Sequence, residues 1–365
     1  MKRLPQLDGI RGIAILVVIF HNETGKYPVL SLDRVFTNGW MGVDLFFVLS
    51  GLLITGILLD TKESSGYFQN FYARRCLRIW PLYYVCLLLM FGIMPLLFPA
   101  QGKLVFERSS PWWAFPLYFQ NFLLPQPEGA LGLLGVTWSL AIEEQFYLVW
   151  PLIVRWCSTR QLSVMAISVL CLSPVLRFLV GPLGLDLYSN TFTRLDGLMA
   201  GALLAIVMRS VTFVPQRFVA PAWLVLCLAA PLAFLTEAMQ ARWIVFSMSA
   251  IASAALIYVA LYSGQGWLQR ILTNRFLVYT GTISYGLYLL HKLPFNVGTA
   301  MHLNRHPAVA GPLLLAGAYA LAALSWTVFE KPILDLKRFF ATSPSPVREG
   351  AGQVVGPAAT DGRTT

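Results

Sequence analysis

Apolar stretches recur along almost the whole chain, from Gly12 to Phe329, with short polar connections between them. A transmembrane helix needs about 20 mostly apolar residues, and ten of the stretches meet or approach that length. We therefore predict an all-α, polytopic membrane protein with about ten transmembrane helices. The predicted spans are 8–23, 40–59, 79–98, 137–156, 161–180, 194–209, 218–236, 243–262, 279–294 and 307–329.

An eleventh apolar stretch, 111–125, is shorter, is interrupted by proline and contains the polar pair Gln120 and Asn121. If this stretch crossed the membrane, every later loop would change sides, and the bias of lysine and arginine toward cytoplasmic loops would be lost. We therefore predict that it is a re-entrant or interfacial segment on the outer face. Ten crossings then place both the N-terminus and the C-terminus in the cytoplasm.

The composition agrees with a surface that faces lipid. The chain is 57% hydrophobic and 12% charged, whereas a soluble domain carries about 25% charged residues. The apolar stretches leave no room for a soluble domain of ordinary size. We predict one domain, residues 1–338, in the cell (inner) membrane. Residues 339–365 are rich in serine, proline and glycine, so we expect a disordered cytoplasmic tail.

The formal net charge of +10 could suggest a nucleic-acid partner. However, the basic residues are spread in ones to threes between apolar stretches, as the positive-inside rule predicts for a membrane protein. We therefore expect membrane lipids and no nucleic acid as partners. The five cysteines have neither the spacing of a metal site nor that of a disulfide framework, and no metal site is predicted.

Arg11 and His21 stand out because ionisable residues within a membrane span are costly and suggest function by default. The ten residues between them correspond to about 15 Å along a helix. Arg11 would lie near the cytoplasmic boundary and His21 toward the outer side. An imidazole can act as a general base near neutral pH. Alternatively, His21 is a hydrogen-bonded structural residue and Arg11 pairs locally with Asp8.

Two further groups of charges lie in or beside predicted spans. Arg74, Arg75 and Arg78 are at the cytoplasmic start of the third span, where guanidinium groups can clamp phosphates. They could instead simply anchor the helix at the membrane surface. Glu143 and Glu144 lie inside an apolar run. Neighbours on a helix point about 100° apart, so one carboxylate can face a site while the other meets a structural partner.

The remaining candidates are scattered along the chain, and we treat them as possible binding residues. They are Asp44, Arg194, Asp196, Tyr285 and His291. For each of them a structural role is the main alternative. Arg194 and Asp196 could form a neutralised pair, and His291 could be an ordinary histidine at the membrane interface.

Taken together, seven segments in this order resemble the acyltransferase-3 family of membrane acyltransferases. The resemblance extends from about residue 5 to residue 335, and only the Trp-Met-Gly-Val-Asp sequence at 40–44 departs slightly from the family's usual pattern. The matching segments are 7–12 leading to His21, 42–51, 74–81, 138–147, 194–197, 283–291 and 329–332.

The resemblance implies transfer of an acyl group, usually acetyl, from cytoplasmic acyl-CoA to a hydroxyl of a glycan or glycolipid, such as exopolysaccharide or lipopolysaccharide. Acyl-CoA would be a co-substrate, and no cofactor would be bound permanently. His21 would be the catalytic imidazole with Arg11 beside it, and Arg74, Arg75 and Arg78 would engage the CoA phosphates. Many relatives carry a fused esterase-like domain. We expect such a partner, like other polysaccharide-synthesis proteins, to be a separate chain here.

In the simplest mechanism, His21 removes the proton of the acceptor hydroxyl while Glu143 or Glu144 orients or balances the imidazolium. An acyl-histidine intermediate is the rival chemistry. The alternative function is a transporter or flippase for a glycan or a lipid-linked intermediate, although the sequence has no inverted repeat. A purely structural partner of a polysaccharide synthase would leave the charges within the spans unexplained.

Overall fold

The computed structural model describes residues 4–23, 25, 27, 38–99, 110–123, 132–210 and 214–340, and these residues form helices and turns without any strand. The predicted all-α class is therefore confirmed. The helices are α1 (Pro5–Glu23), α2 (Met41–Asp60), α3 (Tyr67–Leu87), α4 (Thr137–Trp156), α5 (Thr159–Val180), α6 (Thr191–Val207), α7 (Val219–Ala238), α8 (Arg242–Tyr262), α9 (Trp267–Leu272), α10 (Arg275–Thr282), α11 (Ser284–Leu290), α12 (Lys292–Ala300) and α13 (Pro307–Leu324). Helix α3 continues through a π-helical turn, Leu88–Ile93, into Met94–Leu97. Helix α13 continues through another, Ser325–Glu330, into Lys331–Asp335.

Six helical segments within the described residues are long and apolar enough to cross a membrane, and they coincide with six of the predicted spans. The chain is thus a multi-pass membrane protein. The other four predicted spans fall on α1, α4 and α6, which carry charged residues, and on the pair α10–α11, which is interrupted at Ile283. The count of ten and the cytoplasmic termini remain predictions. The six segments are Met41–Asp60, Tyr67–Leu97, Thr159–Leu183, Pro215–Ala238, Arg242–Tyr262 and Pro307–Phe339.

Contacts at the helix ends show which helices run in the same direction. Asp60 at the end of α2 pairs with Arg209 just beyond α6, with Oδ1 and Nε 2.7 Å apart. Asp44 and Arg194 pair at the starts of the same two helices. Helices α2 and α6 are therefore parallel. Arg177, near the end of α5, donates to backbone carbonyls at the starts of α6 and α8, so α5 runs in the opposite direction.

Two glycines allow α2 and α6 to pack backbone against backbone. A Cβ atom on Gly51 would overlap the carbonyl oxygen of Leu198, and one on Gly201 would overlap that of Val48. Because lipid provides no hydrophobic driving force between helices, small residues that permit such close contact are a main source of helix association. Gly51 is the last residue of the 42–51 segment noted in the sequence, and this contact is the physical reason for a glycine there.

Close backbone contacts at glycines also join α1 to α9 and α10. A Cβ atom on Gly9 would overlap the carbonyl oxygen of Leu272, and one on Gly12 that of Leu277. From the opposite side, Gly281 of α10 lies equally close to the backbone of α1. The two glycines of the first segment therefore dock α1 tightly, and this docking fixes the position of Arg11 between them.

We expect Gly201→Ala to destabilise the protein by about 1–3 kcal/mol, the usual cost of forcing an extra methyl group into a packed contact. Thermal unfolding of the purified protein in detergent would measure the loss. The matched control is Gly135→Ala, because a Cβ atom at Gly135 has open space around it. Equal unfolding temperatures for the two variants would contradict close packing of α2 and α6.

Residues 110–123 do not form a spanning helix. They contain two short 3₁₀ turns, Trp112–Ala114 and Gln120–Phe122. The Ser110 hydroxyl donates to the Leu123 carbonyl oxygen at 3.2 Å, so the two ends of the segment lie together. The re-entrant or interfacial position at the outer face stays a prediction for 111–125. Of the predicted tail, 339–365, residues from 341 onward lie outside the described part of the chain.

Candidate active site

A cluster of charged side chains lies inside the helix bundle, where α1, α3, α4 and α13 meet. Its members are within electrostatic range of one another. All are half-buried except Glu330, which is buried. Since isolated charges are costly in this environment, nearby opposite charges stabilise them. Arg11 Nη1 also pairs with Asp8 Oδ1 on α1 at 3.3 Å, which is the local pair considered from the sequence. The charged cluster consists of Arg11, Arg75, Arg78, Glu143, Glu144 and Glu330.

The two α3 arginines of the charged cluster point inward. The Arg75 guanidinium lies over the Tyr147 ring of α4, 5.7 Å from its centroid, and Arg78 lies at the same distance from the Trp326 ring. Such positions differ from those of arginines that only anchor a helix at the membrane surface. Arg74, the third predicted residue, is also half-buried on α3.

The adjacent carboxylates of α4 have different partners, as the helical geometry requires. Glu143 accepts a hydrogen bond from the Ser50 hydroxyl of α2. Glu144 Oε2 accepts one from the indole Nε1 of Trp80 at 2.9 Å. The two carboxylates are therefore held by different helices, Glu143 by α2 and Glu144 by α3. The proposed role of Glu143 or Glu144 in orienting His21 remains a prediction.

A polar stripe continues from Glu143 toward the N-terminal end of α4. Ser139, one turn before Glu143, lies with its hydroxyl 2.5 Å from that of Tyr288 on α11. The Tyr288 hydroxyl is also 2.7 Å from the Val136 carbonyl oxygen. These contacts link the charged cluster to the end of α11, which lies beside the C-terminal end of α1.

His21 is half-buried in the last turn of α1, and the two residues after it fix that turn to α11 and α12. Asn22 Nδ2 lies 3.3 Å from His291 Nε2, and Glu23 forms an ion pair with Lys292 at 3.1 Å. His291 Nδ1 faces backbone carbonyl oxygens, which only accept hydrogen bonds. Nδ1 therefore carries a proton, and Nε2 accepts from Asn22. His291 is fully buried, and these contacts tie it to the docking of α1. Its predicted substrate contact stays a prediction.

Tyr285, another predicted binding residue, lies at the edge of the charged cluster. Its hydroxyl donates to the Ile79 carbonyl oxygen at 2.5 Å, and it is within electrostatic range of Arg78 and Glu330. The structure thus brings Tyr285 together with Arg11, the α3 arginines and the two glutamates.

Asp44, Arg194 and Asp196 lie elsewhere. With Arg177 they form a second group of charges, which are paired within the group. Arg194 Nη2 is 2.5 Å from Asp44 Oδ1, and Arg177 Nη2 is 2.9 Å from Asp196 Oδ2. Both arginines are fully buried, and the Arg194 guanidinium lies 4.0 Å from the centroid of the Phe246 ring. The local Arg194–Asp196 pair considered from the sequence is therefore not the arrangement found. The proposed substrate contacts of this set are untested, and each charge has a partner inside the protein.

Several residues of these sites were missed from the sequence. Arg177 carried the same signal as the predicted charges, because it lies within the predicted span 161–180. Glu330, Ser50 and Tyr147 belong to the matching segments 329–332, 42–51 and 138–147, but only their neighbours in the fold reveal a role for each side chain. Within the described ranges, His, Cys, Asp and Glu side chains do not converge in threes to form a metal site.

The buried amides Gln120 and Asn121 fasten segment 110–123 to this region. Gln120 Nε2 donates to the Thr137 carbonyl oxygen at 3.1 Å, and Asn121 Nδ2 donates to Thr191 Oγ1 at 2.8 Å. The segment is thus fixed to the first turns of α4 and α6, beside the charged cluster.

Comparison with known proteins identifies relatives with O-acetyltransferase names. The chain is 31% identical over 362 residues to peptidoglycan O-acetyltransferase OatA of Listeria monocytogenes, covering 91% of this chain and 56% of that protein. The putative peptidoglycan O-acetyltransferase YrhL of Bacillus subtilis is 30% identical over 365 residues, covering 91% and 55%. A putative O-acetyltransferase of Staphylococcus aureus is 29% identical over 326 residues, covering 80% and 50%.

The chain thus spans about half the length of these relatives. No solved structure matches it. The family model described as an acyltransferase domain, Acyl_transf_3, matches residues 4–329. That range includes α1 with its Arg11 and His21, both parts of the charged cluster on α3 and α4, and almost all of α13. The chain therefore belongs to the acyltransferase-3 family.

Proposed function

We propose that this protein is a membrane O-acyltransferase that moves an acetyl group from acyl-CoA to a hydroxyl of a glycan. The observation that carries the proposal is the inward-facing arginine pair, Arg75 and Arg78, in a chain of this family. The glycan acceptor is supported by relatives whose names specify peptidoglycan. A flippase, the alternative, gives these arginines no evident task.

The donor assignment follows from the chemistry of the charged cluster. Acyl-CoA carries several phosphates, and arginine is suited to bind phosphate through two parallel hydrogen bonds. Arg75 and Arg78 lie in the first half of α3, near the helix ends that we predict to be cytoplasmic. The neighbouring Glu143 and Glu330 balance the guanidinium charges before the donor binds.

The reaction needs a base for the acceptor hydroxyl, and we assign that role to His21. As the imidazole takes the hydroxyl proton, the oxygen forms a bond to the thioester carbonyl carbon and the carbon–sulfur bond breaks. The thiolate leaves and receives the proton from the imidazolium, so CoA departs as a free thiol. His21 lies about 15 Å from Arg11 along α1. The long arm of CoA would bridge this separation between phosphates and thioester.

The acceptor is a glycan at the outer face of the cell membrane, on the side to which the C-terminal end of α1 points. Peptidoglycan is the first candidate because of the named relatives. Exopolysaccharide and lipopolysaccharide are the others. The hydroxyl that is modified depends on contacts that a bound acceptor would make near His21.

The proposal is tested by incubating the purified protein with acetyl-CoA and soluble peptidoglycan fragments and measuring free thiol. We expect thiol release that depends on the acceptor. The double variant Arg75→Gln and Arg78→Gln should raise KM for acetyl-CoA by at least about tenfold, because hydrogen bonds to charged groups contribute about 1.5–3 kcal/mol each.

Arg270→Gln is the matched control, since Arg270 is an exposed arginine of α9. Its KM for acetyl-CoA should equal that of the wild type. The absence of thiol release with every glycan offered, together with movement of a labelled glycan across vesicles that contain the protein, would support the flippase instead.

A further inference from the structure

Tyr118 has an unusual backbone for a bulky residue. Its φ is 54°, in the left-handed region, which side chains with a Cβ atom rarely adopt. Such a conformation persists only where the surroundings impose it, and it is concentrated at functional sites. Here Gln145 of α4 donates to the Tyr118 carbonyl oxygen at 2.7 Å. The Tyr118 ring also stacks on Tyr83 of α3, with centroids 4.6 Å apart.

The hydroxyl held in place by these contacts is unused within the described part of the chain. Tyr118 is 7% exposed, and its Oη has no hydrogen-bond partner among the described residues. Glu144 Oε1 is also buried and unpartnered within that part of the chain, while Oε2 accepts from Trp80. Both side chains lie against the same stretch of α3, because the Tyr118 ring stacks on Tyr83 and Glu144 accepts from Trp80, one turn earlier. Buried polar groups without a partner are rare in native proteins, so two beside one stretch of helix indicate a ligand.

The two groups specify the chemistry of that ligand. A phenol hydroxyl can donate, and a carboxylate oxygen accepts. A ligand group that satisfies both must accept one hydrogen bond and donate another. A secondary amide does this through its carbonyl oxygen and its N–H, and a hydroxyl group does it through one oxygen.

We propose that Tyr118 and Glu144 bind an amide of the pantetheine arm of the acyl-CoA donor. This inference rests on the proposed function. Along α3, Trp80 and Tyr83 follow Arg78, and the five residues from Arg78 to Tyr83 span about 7.5 Å. In acyl-CoA, the amides of the arm likewise follow the diphosphate on the way to the thioester. The order of groups in the protein therefore matches the order of groups in the donor.

The role assigned to Tyr118 explains the construction of segment 110–123. Its backbone is anchored through Tyr84, whose hydroxyl donates to the Pro116 carbonyl oxygen at 3.0 Å, and through Gln145. These bonds hold the strained residue while its own hydroxyl remains available. The segment thus becomes one wall of the donor site, opposite Glu144.

Tyr118→Phe tests the inference, with calorimetric binding of CoA and of 3′-phospho-ADP, the nucleotide portion of CoA that lacks the arm. We expect CoA affinity to fall about three- to tenfold, as for loss of one hydrogen bond, and 3′-phospho-ADP affinity to stay unchanged. KM for acetyl-CoA should rise by the same factor, and KM for the glycan should not change. The unfolding temperature of the ligand-free protein should not fall, because this hydroxyl has no hydrogen bond to lose among the described residues.

Tyr258→Phe is the matched control, since it removes a tyrosine hydroxyl of α8, outside the proposed donor site, that donates to the Pro215 carbonyl oxygen at 2.8 Å. It should lower the unfolding temperature and leave CoA affinity unchanged. A Tyr118→Phe variant that raises KM for the glycan alone would assign the pair to the acceptor and overturn the inference. A variant that only lowers the unfolding temperature would make the hydroxyl structural, which overturns it too. If the wild type binds neither CoA nor 3′-phospho-ADP, the donor assignment itself fails, and this inference with it.

Discussion

Replacing His21 with alanine should abolish acyl transfer and leave the protein folded. A positioned general base contributes about 10²–10⁴-fold to the rate, so residual activity should fall near the detection limit. Asn22 and Glu23 contribute contacts that dock the end of α1, and the alanine variant leaves both of them in place. Alanine also favours helix, so the variant should keep the same helical turn.

The measurement is thiol release at saturating acetyl-CoA, together with calorimetric binding of CoA. We expect kcat to fall sharply while CoA affinity remains that of the wild type, because the phosphates bind at Arg75 and Arg78 in the charged cluster, whose member Arg11 lies about 15 Å from His21 along α1. His306→Ala is the control, as His306 is an exposed histidine just before α13. Substantial activity of His21→Ala would show that His21 is not the base.

An acetylated peptide containing His21, recovered from wild-type protein incubated with acetyl-CoA alone, would favour the acyl-histidine route over direct transfer. His291 cannot replace His21 as the base, because its two ring nitrogens are engaged by backbone carbonyl oxygens and by Asn22. A double variant of His21 and His291 should therefore have no less catalytic activity per folded molecule than His21→Ala alone.

Asp196→Ala should destabilise the protein by about 3–5 kcal/mol, the cost of leaving one partner of a buried ion pair without the other. Asp196 Oδ2 lies 2.9 Å from Arg177 Nη2 and accepts a hydrogen bond from Ser247 Oγ at 2.7 Å. Arg177 is fully buried among α5, α6 and α8. Without Asp196, the acid left to balance its charge among the described residues would be Asp44, which acts on it more weakly.

Unfolding of the purified protein in detergent, by heat or denaturant, would measure this loss. Asp196→Asn retains an acceptor for Ser247 and should lose less. The control is Asp60→Ala, which breaks the partly exposed pair with Arg209 and should cost less than about 1 kcal/mol. Wild-type stability of Asp196→Ala combined with weakened glycan binding would place Asp196 in a substrate site, as the sequence suggested.

The pairing of these charges shows where sequence reasoning was wrong. Arg194 and Asp196 are two residues apart, and side chains at that spacing point to nearly opposite sides of a helix. A local pair was therefore geometrically unfavourable on α6. Each residue instead reaches a different helix, Arg194 to Asp44 of α2 and Asp196 to Arg177 of α5. The spacing argument was available from the sequence, but the identity of the partners was not.

For the adjacent acids of α4, by contrast, the helical geometry expected from the sequence agrees with the structure. Their 100° offset predicted two different partners, and Glu143 and Glu144 indeed bond to Ser50 and Trp80. The glycines of the first span likewise have a reason that became visible only in the fold, since Gly9 and Gly12 lie against backbone carbonyls of α9 and α10. The sequence pattern showed where these residues are, and the packing of the helices showed what each of them contacts.

From the sequence alone it followed that the chain is an all-α membrane protein with charges buried in its spans. The reason is that lipid cannot satisfy backbone hydrogen bonds, so apolar stretches of this length must form helices. The tertiary structure alone decided that Glu330 comes within electrostatic range of Arg78 and that, among the described residues, the buried Tyr118 hydroxyl has no hydrogen-bond partner. The rotation and tilt of each helix determine such contacts. In lipid these are set by close packing of small residues and by neighbouring helices, which apolar periodicity does not encode.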